Sequence, residues 1–498
     1  MTASLPPPPK LSDVTRRVLA EAKSPLRDRD ISPGQPLVGE TQTDPMPREP
    51  TTELGYAHRL IRVYGDRLRY VPVWRRWLVW DGRRWADDTT GQVKRWMKAI
   101  ARRIYTDALA LADDQQRKAA LHLARRGESS AGINGALTLA STHEAIAISP
   151  EDLDSDPFLL NCANGTLDLR TGQLGAHNPG DLLTKITGAA YDSAARGAEW
   201  SEFLQWVQPD QKMRDYLARL VGHALEGRIS EHVLPIFCGD GANGKGTFTN
   251  AIIVALGDYS DAADPDLLTA RSFDAHPTGT ADLFGLRLAI LHETDAGRRL
   301  AEATVKRLTG GDRLKARRMR EDFWSFEPSH TFVMLTNHKP LVSGTDEGIW
   351  RRLRLVPWPV VIPASERDEA LGQRLTLEAD AILAWVVEGY RGWRRRGLND
   401  PEAVTSATNA YRGESDVLGR FLGERCFLGQ HFTVRSSELF DAWSAWCAQE
   451  GEATGTNKAF TESVQGRGYD TKRTNIGMVW RGIGLAADGT ECTEVKGV

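Results

Sequence analysis

Residues 234–248 read Leu-Pro-Ile-Phe-Cys-Gly-Asp-Gly-Ala-Asn-Gly-Lys-Gly-Thr-Phe, and no other stretch limits the possible folds as much. An apolar run of strand length ends in G-x-x-x-x-G-K and passes into a helix-compatible segment, 247–256. A strand, a glycine-rich loop and a helix in that order form an anion cradle. Glycines let backbone N–H groups close around phosphate, at a helix N-terminus whose dipole favours negative charge. This pattern reads as a phosphate-binding loop, or P-loop. Gly239, Gly241, Asn243, Gly244, Lys245, Gly246 and Thr247 form it, with Lys245 bridging the β- and γ-phosphates of a nucleoside triphosphate. One position departs from the usual spacing. Gly246 stands where Ser or Thr normally binds Mg2+, and the hydroxyl comes one residue later, on Thr247.

Such a loop works with an acid at the end of a neighbouring strand, which holds the metal and polarises water. The run 286–295 ends in Glu293 and Asp295, with Glu293 48 residues beyond Lys245. Glu293 is assigned to the metal or the attacking water, and Asp295 to a supporting role. A third apolar run, 331–335, ends in Thr336-Asn337. The Asn337 amide either meets the γ-phosphate and its attacking water or caps the next turn. Further on come Arg351 and Arg352. A guanidinium there either stabilises transition-state charge on the γ-phosphate, in its own subunit or a neighbour's, or forms a structural ion pair.

Short apolar runs alternating with helical segments from about 233 to 397 indicate an α/β fold. The 498 residues allow several domains. Ten of 24 prolines fall in the first fifty residues, so 1–51 reads as a tail with too little apolar surface to fold. The region 52–198 reads as α+β. It holds a hairpin in 74–85 around Asp81-Gly82, helical periodicity over 92–126, and a second hairpin with an Asn-Gly turn at 164–165. The Trp and Arg residues of 74–85 serve either as a hairpin core or as a stacking surface for bases. Residues 199–225 read as helical, and the charged stretch 398–416 as a linker before a final small unit. No apolar run approaches the roughly 20 residues of a membrane span, and Met1–Lys10 lacks the pattern of a secretory signal. Five cysteines without a CxxC pair suit a reducing compartment and no zinc ribbon.

Net charge is −3, yet 298–320 holds nine basic residues against two acidic ones. That excess is either a solvated helix face or a positive patch for a polyanion.

The order of these elements resembles the superfamily 3 helicases, in particular the phage/plasmid and poxvirus-type primase–helicase family. The resemblance rests on Gly239–Thr247, the strand ending at Glu293, Lys306-Arg307-Leu308-Thr309-Gly310-Gly311-Asp312 with the basic residues after it, Thr336-Asn337 and Trp350-Arg351-Arg352. Upstream it takes in Trp80-Asp81-Gly82 with Trp85 and 164–169. It implies a P-loop AAA+-like ATPase core (199–397) between the α+β N-terminal region and a C-terminal winged-helix domain (398–498). It further implies a ring, usually a hexamer, that binds ATP and Mg2+ between subunits. Lys306, Lys315, Arg317 and Arg318 would face a DNA strand in the channel. Lys458, Arg467, Lys472 and Arg473 would contact duplex DNA, unless the terminal unit is regulatory. The expected activity is ATP-dependent DNA unwinding for a phage, prophage or plasmid in the host cytoplasm, on single-stranded and forked DNA, with a separate primase or polymerase as a further partner. No primer synthesis is expected from this chain alone. The alternatives are a P-loop origin-binding or DNA-packaging scaffold without unwinding, and a small-molecule kinase.

Overall fold

The structure, a computed structural model, describes residues 50–270, 278–293, 297–319, 321–342, 346–475 and 477–486, with backbone alone at 278 and 293. The Pro-rich tail through residue 49, Asp295 and Arg320 lie outside the described residues. Helix α1 (Glu53–Tyr64) leads into an antiparallel sheet of β1 (Leu68–Val71), β2 (Arg76–Trp80) and β3 (Trp85–Asp87). Three helices follow, α2 (Gln92–Leu109), α3 (Asp114–Glu128) and α4 (Ser130–Ala140), then a second antiparallel sheet of β4 (Leu159–Cys162), β5 (Gly165–Asp168) and β6 (Gln173–Gly175).

The Asp-Gly hairpin forms as expected. Trp80 pairs with Trp85, and the Asp81 carboxylate accepts from the N–H groups of Arg83 and Arg84, both at 2.8 Å. The helical stretch 92–126 is two helices rather than one, because the Asp113 side chain caps α3 by accepting from Gln116 N. The second hairpin turns one residue earlier than its Asn-Gly pair suggests. Cys162 pairs with Gly165, and Asn164 spends its amide on the backbone N–H and C=O of Tyr191.

The centre of the chain is a five-stranded parallel sheet. Helices α5 (Ala198–Val207) and α6 (Gln211–His223) precede it, separated by Pro209, so 199–225 is also two helices. Strand β7 (Leu234–Cys238) runs into α7 (Lys245–Leu256), followed by β8 (Ser260–Ala263) and β9 (Leu288–Glu293). After α8 (Glu302–Leu308) a small hairpin, β10 (Leu314–Ala316) and β11 (Trp324–Phe326), interrupts the alternation. Then come β12 (Thr331–Thr336), the short α9 (Glu347–Trp350) and β13 (Leu353–Pro357). The strand order is β13-β7-β12-β9-β8, every pair parallel.

The strands read as unbroken apolar runs because both faces are covered. Phe237, Leu288, Ile290, Val333 and Leu335 pack toward α5, α6, α7 and the later helix over Ala379–Arg396. Ile236, Ala289, Leu291, Phe332 and Met334 pack on the other face, with α8, β10–β11 and the first antiparallel sheet. Helices α10 (Leu371–Leu377), α11 (Ala379–Arg396) and α12 (Glu402–Ser415) follow. The supposed linker 398–416 is largely helix α12, with Val404 and Tyr411 buried.

The last unit has its own core. It contains α13 (Val417–Arg425), β14 (Cys426–Arg435), α14 (Ser436–Glu450), α15 (Asn457–Gly466), β15 (Thr471–Thr474) and β16 (Gly477–Leu485), with sheet order β14-β16-β15. The N-cap place of α14, directly after β14, falls to Arg435 without a side-chain bond. No described helix is long and apolar enough to cross a membrane.

Two histidines are enclosed near the sheet. His223 and His330 are buried, and burial pushes both pKa values down from 6.5 to about 4. The unfolded chain therefore takes up protons between about pH 6.5 and 4 that the fold refuses. Stability from these groups is complete above 6.5 and is lost as pH falls toward 4, on the order of 3 kcal/mol for each. Calorimetry should show the melting temperature falling over that interval, and a His330→Leu variant should show a shallower fall. An unchanged pH slope would remove His330 from the account.

Candidate functional site

Three strands of the central sheet end level with one another. Cys238, the last residue of β7, lies beside Thr336 of β12, and Thr336 lies beside Glu293, the last residue of β9. The 239–244 loop and Asn337 therefore leave the sheet along the same carboxyl edge as Glu293, which is where open parallel sheets form their binding crevice.

Lys245 is the first residue of α7 and only 6% exposed. Its ammonium donates to the Gly239 carbonyl at 2.5 Å and to Asn337 Oδ1 at 3.2 Å. Among the described residues it has no carboxylate partner, and burial pulls its pKa below the usual lysine value. A cation held this way, by neutral oxygens alone, is poised to accept an anion. The loop leaves no room for larger residues at two glycines. A Cβ on Gly239 would stand 2.3 Å from the Trp358 carbonyl, and one on Gly244 (φ +82°) would stand 2.5 Å from Val207 Cγ1. Asn243 is buried, and among the described residues its side-chain amide donor has no partner. Gly241 and Gly246 are exposed, the latter at the second position of α7. Thr247 is half-buried in the first turn, whereas the Thr249 hydroxyl is spent on the carbonyls of Lys245 and Gly246. For Glu293 only the backbone position is described.

The two arginines lie elsewhere. They follow α9 and precede β13, whose first residue, Leu353, pairs with Leu234 at the start of β7. Four strand residues, roughly 13 Å, separate that edge from the one carrying Lys245, so the structure does not bring Arg351 or Arg352 to the loop of the same chain. The pair also divides. Arg352 is 7% exposed and donates to Thr309 Oγ1 at 3.1 Å and to the Gly348 carbonyl at 2.7 Å; burial lowers its pKa, with the Arg351 charge beside it. Arg351 is exposed.

The basic segment is likewise divided. Arg298 pairs with Asp266, Lys306 with Asp346, and Arg313 with Glu151 and Glu327. The Lys306 bond holds the Asp346 carboxyl below its usual pKa. Lys306 is therefore tied down, contrary to expectation. Lys315 and Arg317 are not. In β10–β11 the apolar residues Leu314, Ala316, Trp324 and Phe326 turn inward, while Lys315 and Arg317 stand over the ring of Phe323, at 4.9 and 4.7 Å. Phe323 is 49% exposed and Met319 lies exposed beside this surface. Among the described residues neither cation has an acidic partner.

Arg318 turns back over Trp74 at 5.7 Å. Trp74 packs edge-on against Phe284 and Trp324, each at 5.4 Å, and Arg76 donates to Glu321 at 2.8 Å. The N-terminal sheet thus braces the base of the hairpin, a role the sequence reading missed. In the last unit Lys458, Lys472 and Arg473 are exposed. Arg467, by contrast, is bonded to Asp416, the residue that caps α13, and this takes it out of the expected DNA-binding set.

Comparison with known proteins follows these regions. A family described as D5 N terminal like matches residues 57–209, and a "Family of unknown function (DUF5906)" matches 237–352. "Putative helicase L207/L206" of Acanthamoeba polyphaga mimivirus is 29% identical over 297 residues, covering 55% of this chain and 31% of that protein. "Putative helicase 121R" of Invertebrate iridescent virus 3 is 23% identical over 371 residues (66% and 39%), and "Putative primase C962R" of African swine fever virus is 24% identical over 326 (59% and 34%). Over these regions the chain is similar to proteins of the primase–helicase family. These relatives are proteins of large DNA viruses rather than of phages or plasmids, and the match spans between 31% and 39% of their length. Among solved structures, the apo C-terminal region of NrS-1 has a similar fold, with a TM-score of 0.51 at 10% identity, over 87% of this chain and all of that one.

The division between the arginines has a measurable consequence. Arg352→Ala should lower stability by about 2–3 kcal/mol, because it strands buried partners, and Arg351→Ala should leave the melting temperature unchanged. Equal melting temperatures for the two variants would show that Arg352 carries no structural role.

Proposed function

We propose that this chain is an ATP-driven motor that travels along single-stranded DNA and separates duplex DNA. The observation that carries this reading is the Lys245 ammonium, buried in a tight glycine loop and held only by neutral oxygens. The loop is read as a P-loop, whose backbone N–H groups would hold the β- and γ-phosphates of ATP at the start of α7. Lys245 would hold the charge between those phosphates, and Asn337 would orient the attacking water. The orphaned Asn243 amide gives a phosphate oxygen a further donor. Among the described residues no group of three or more His, Cys, Asp or Glu side chains could hold a metal. Mg2+ would instead be held mainly by phosphate oxygens and water, with Thr247 and Glu293 as protein ligands and Asp295 in support. The strand order β13-β7-β12-β9-β8 supports an AAA+-like core.

Arg351 is exposed on the opposite sheet edge, so it would complete the site of an adjacent copy. A ring, six-membered by family resemblance, would bring such sites together. Lys315, Arg317 and Phe323 would line its channel and contact the strand through phosphate and stacking, which suits movement on any sequence. The last unit, ordered helix–strand–helix–helix–hairpin, is read as a winged helix that would touch duplex DNA through Lys458, Lys472 and Arg473. A separate primase or polymerase and a viral, phage or plasmid source complete the proposal.

The test is ATP turnover with single-stranded DNA, together with strand displacement on a forked substrate. Lys245→Ala should abolish both while leaving the fold intact, and wild-type turnover that single-stranded DNA does not accelerate would end the motor reading. Mixed with Lys245→Ala, the Arg351→Ala variant should recover partial turnover, since at least one interface of each mixed ring has both residues. No recovery would exclude action across subunits.

A further inference from the structure

A second positive surface lies on helix α2 of the N-terminal region. Residues 92–126 carry nine basic and three acidic residues in a chain of net charge −3, an excess close to that of the 298–320 segment. In α3 three of the four cations have acidic partners, Arg117 and Lys118 sharing Asp114 and Arg126 pairing with Glu53. Helix α2 differs. It buries Val93, Met97, Ile100, Ala101, Ile104 and Ala108 against the N-terminal core and leaves Lys94, Lys98 and Arg102 on its outer face. Among the described residues none of these three has an ion-pair partner.

Four-residue steps place the three cations about 6 Å apart along the helix axis. Tyr105 and Leu109, 43% and 60% exposed, fall within the same arc of roughly 100°. A row of unpaired cations at regular spacing, with an aromatic ring beside it, matches a phosphodiester backbone and an unpaired base. Charges meant only for solvation need neither the exposed ring nor the absence of acids. We propose that this face of α2 is a second single-strand-binding surface, independent of the β10–β11 hairpin and reading phosphate rather than sequence. The inference rests on the reading of the chain as a protein that handles DNA.

Binding of a fluorescent thirty-residue oligothymidine to the full chain, followed by anisotropy across a salt series, tests it. The variant Lys94→Gln, Lys98→Gln, Arg102→Gln keeps helix propensity and alters only exposed side chains, so circular dichroism and DNA-free ATP turnover should match the wild type. The slope of log affinity against log salt should become shallower by about 2, at roughly 0.7 per lost phosphate contact on a single strand, and affinity at low salt should fall tenfold or more. Adding Lys315→Gln and Arg317→Gln should lower the slope further by an additive amount. A wild-type slope in the α2 variant, with the wild type binding normally, would overturn the inference alone. Failure of the wild type to bind the oligonucleotide at all would overturn both it and the motor reading.

Discussion

The level ending of β7, β12 and β9 is the constraint on which the rest of the site depends. Parallel pairing puts Cys238, Thr336 and Glu293 in one row, and a glycine loop, an amide and an acidic position then meet without any long-range coincidence. The alignment is held by cores on both faces of the sheet, because a one-residue slip of any strand would exchange its two apolar faces. Lys245 is buried at this edge with its ammonium bonded to neutral oxygens. Its neutral-oxygen partners are supplied by the end of β7 and the residue after β12.

The opposite sheet edge has a different logic. There α9, β13 and α8 are tied by Arg352 through Thr309 and Gly348, which leaves Arg351 outward. Two adjacent arginines of identical chemistry acquire opposite roles because the turn between α9 and β13 buries Arg352 and leaves Arg351 exposed. The same division runs through the basic segment. Lys306 and Arg313 hold the molecule together through acidic partners, whereas Lys315 and Arg317 stand on a hairpin whose inner residues are apolar and whose base the N-terminal Trp74 and Arg76 support.

Much of the fold was legible from local pattern. The strand–loop–helix unit, the order of apolar runs and the Asp81-Gly82 hairpin each depend on interactions within a few residues, so composition and spacing report them directly. The errors have common causes. Helix breaks at Asp113 and Pro209 fall inside stretches whose apolar periodicity continues across them, and β14 carries a mixed exposure pattern with a register shift that hides its alternation. The charged stretch 398–416 reads as a linker because its buried residues, Leu398, Val404 and Tyr411, are few.

The sequence alone determined which chemistry is present: a glycine loop ending in lysine, acids and an asparagine after apolar runs, paired arginines and an excess of positive charge around residue 310. Those features are covalent facts, and their spacing already implies strands and turns. Tertiary structure decided which of those residues remain available. An arginine or lysine is committed when folding brings a distant carboxylate or hydroxyl to it, as with Lys306, Arg352 and Arg467, whose partners Asp346, Thr309 and Asp416 lie 40, 43 and 51 residues away. No local pattern encodes such distances, because they follow from how the packed layers close around the sheet.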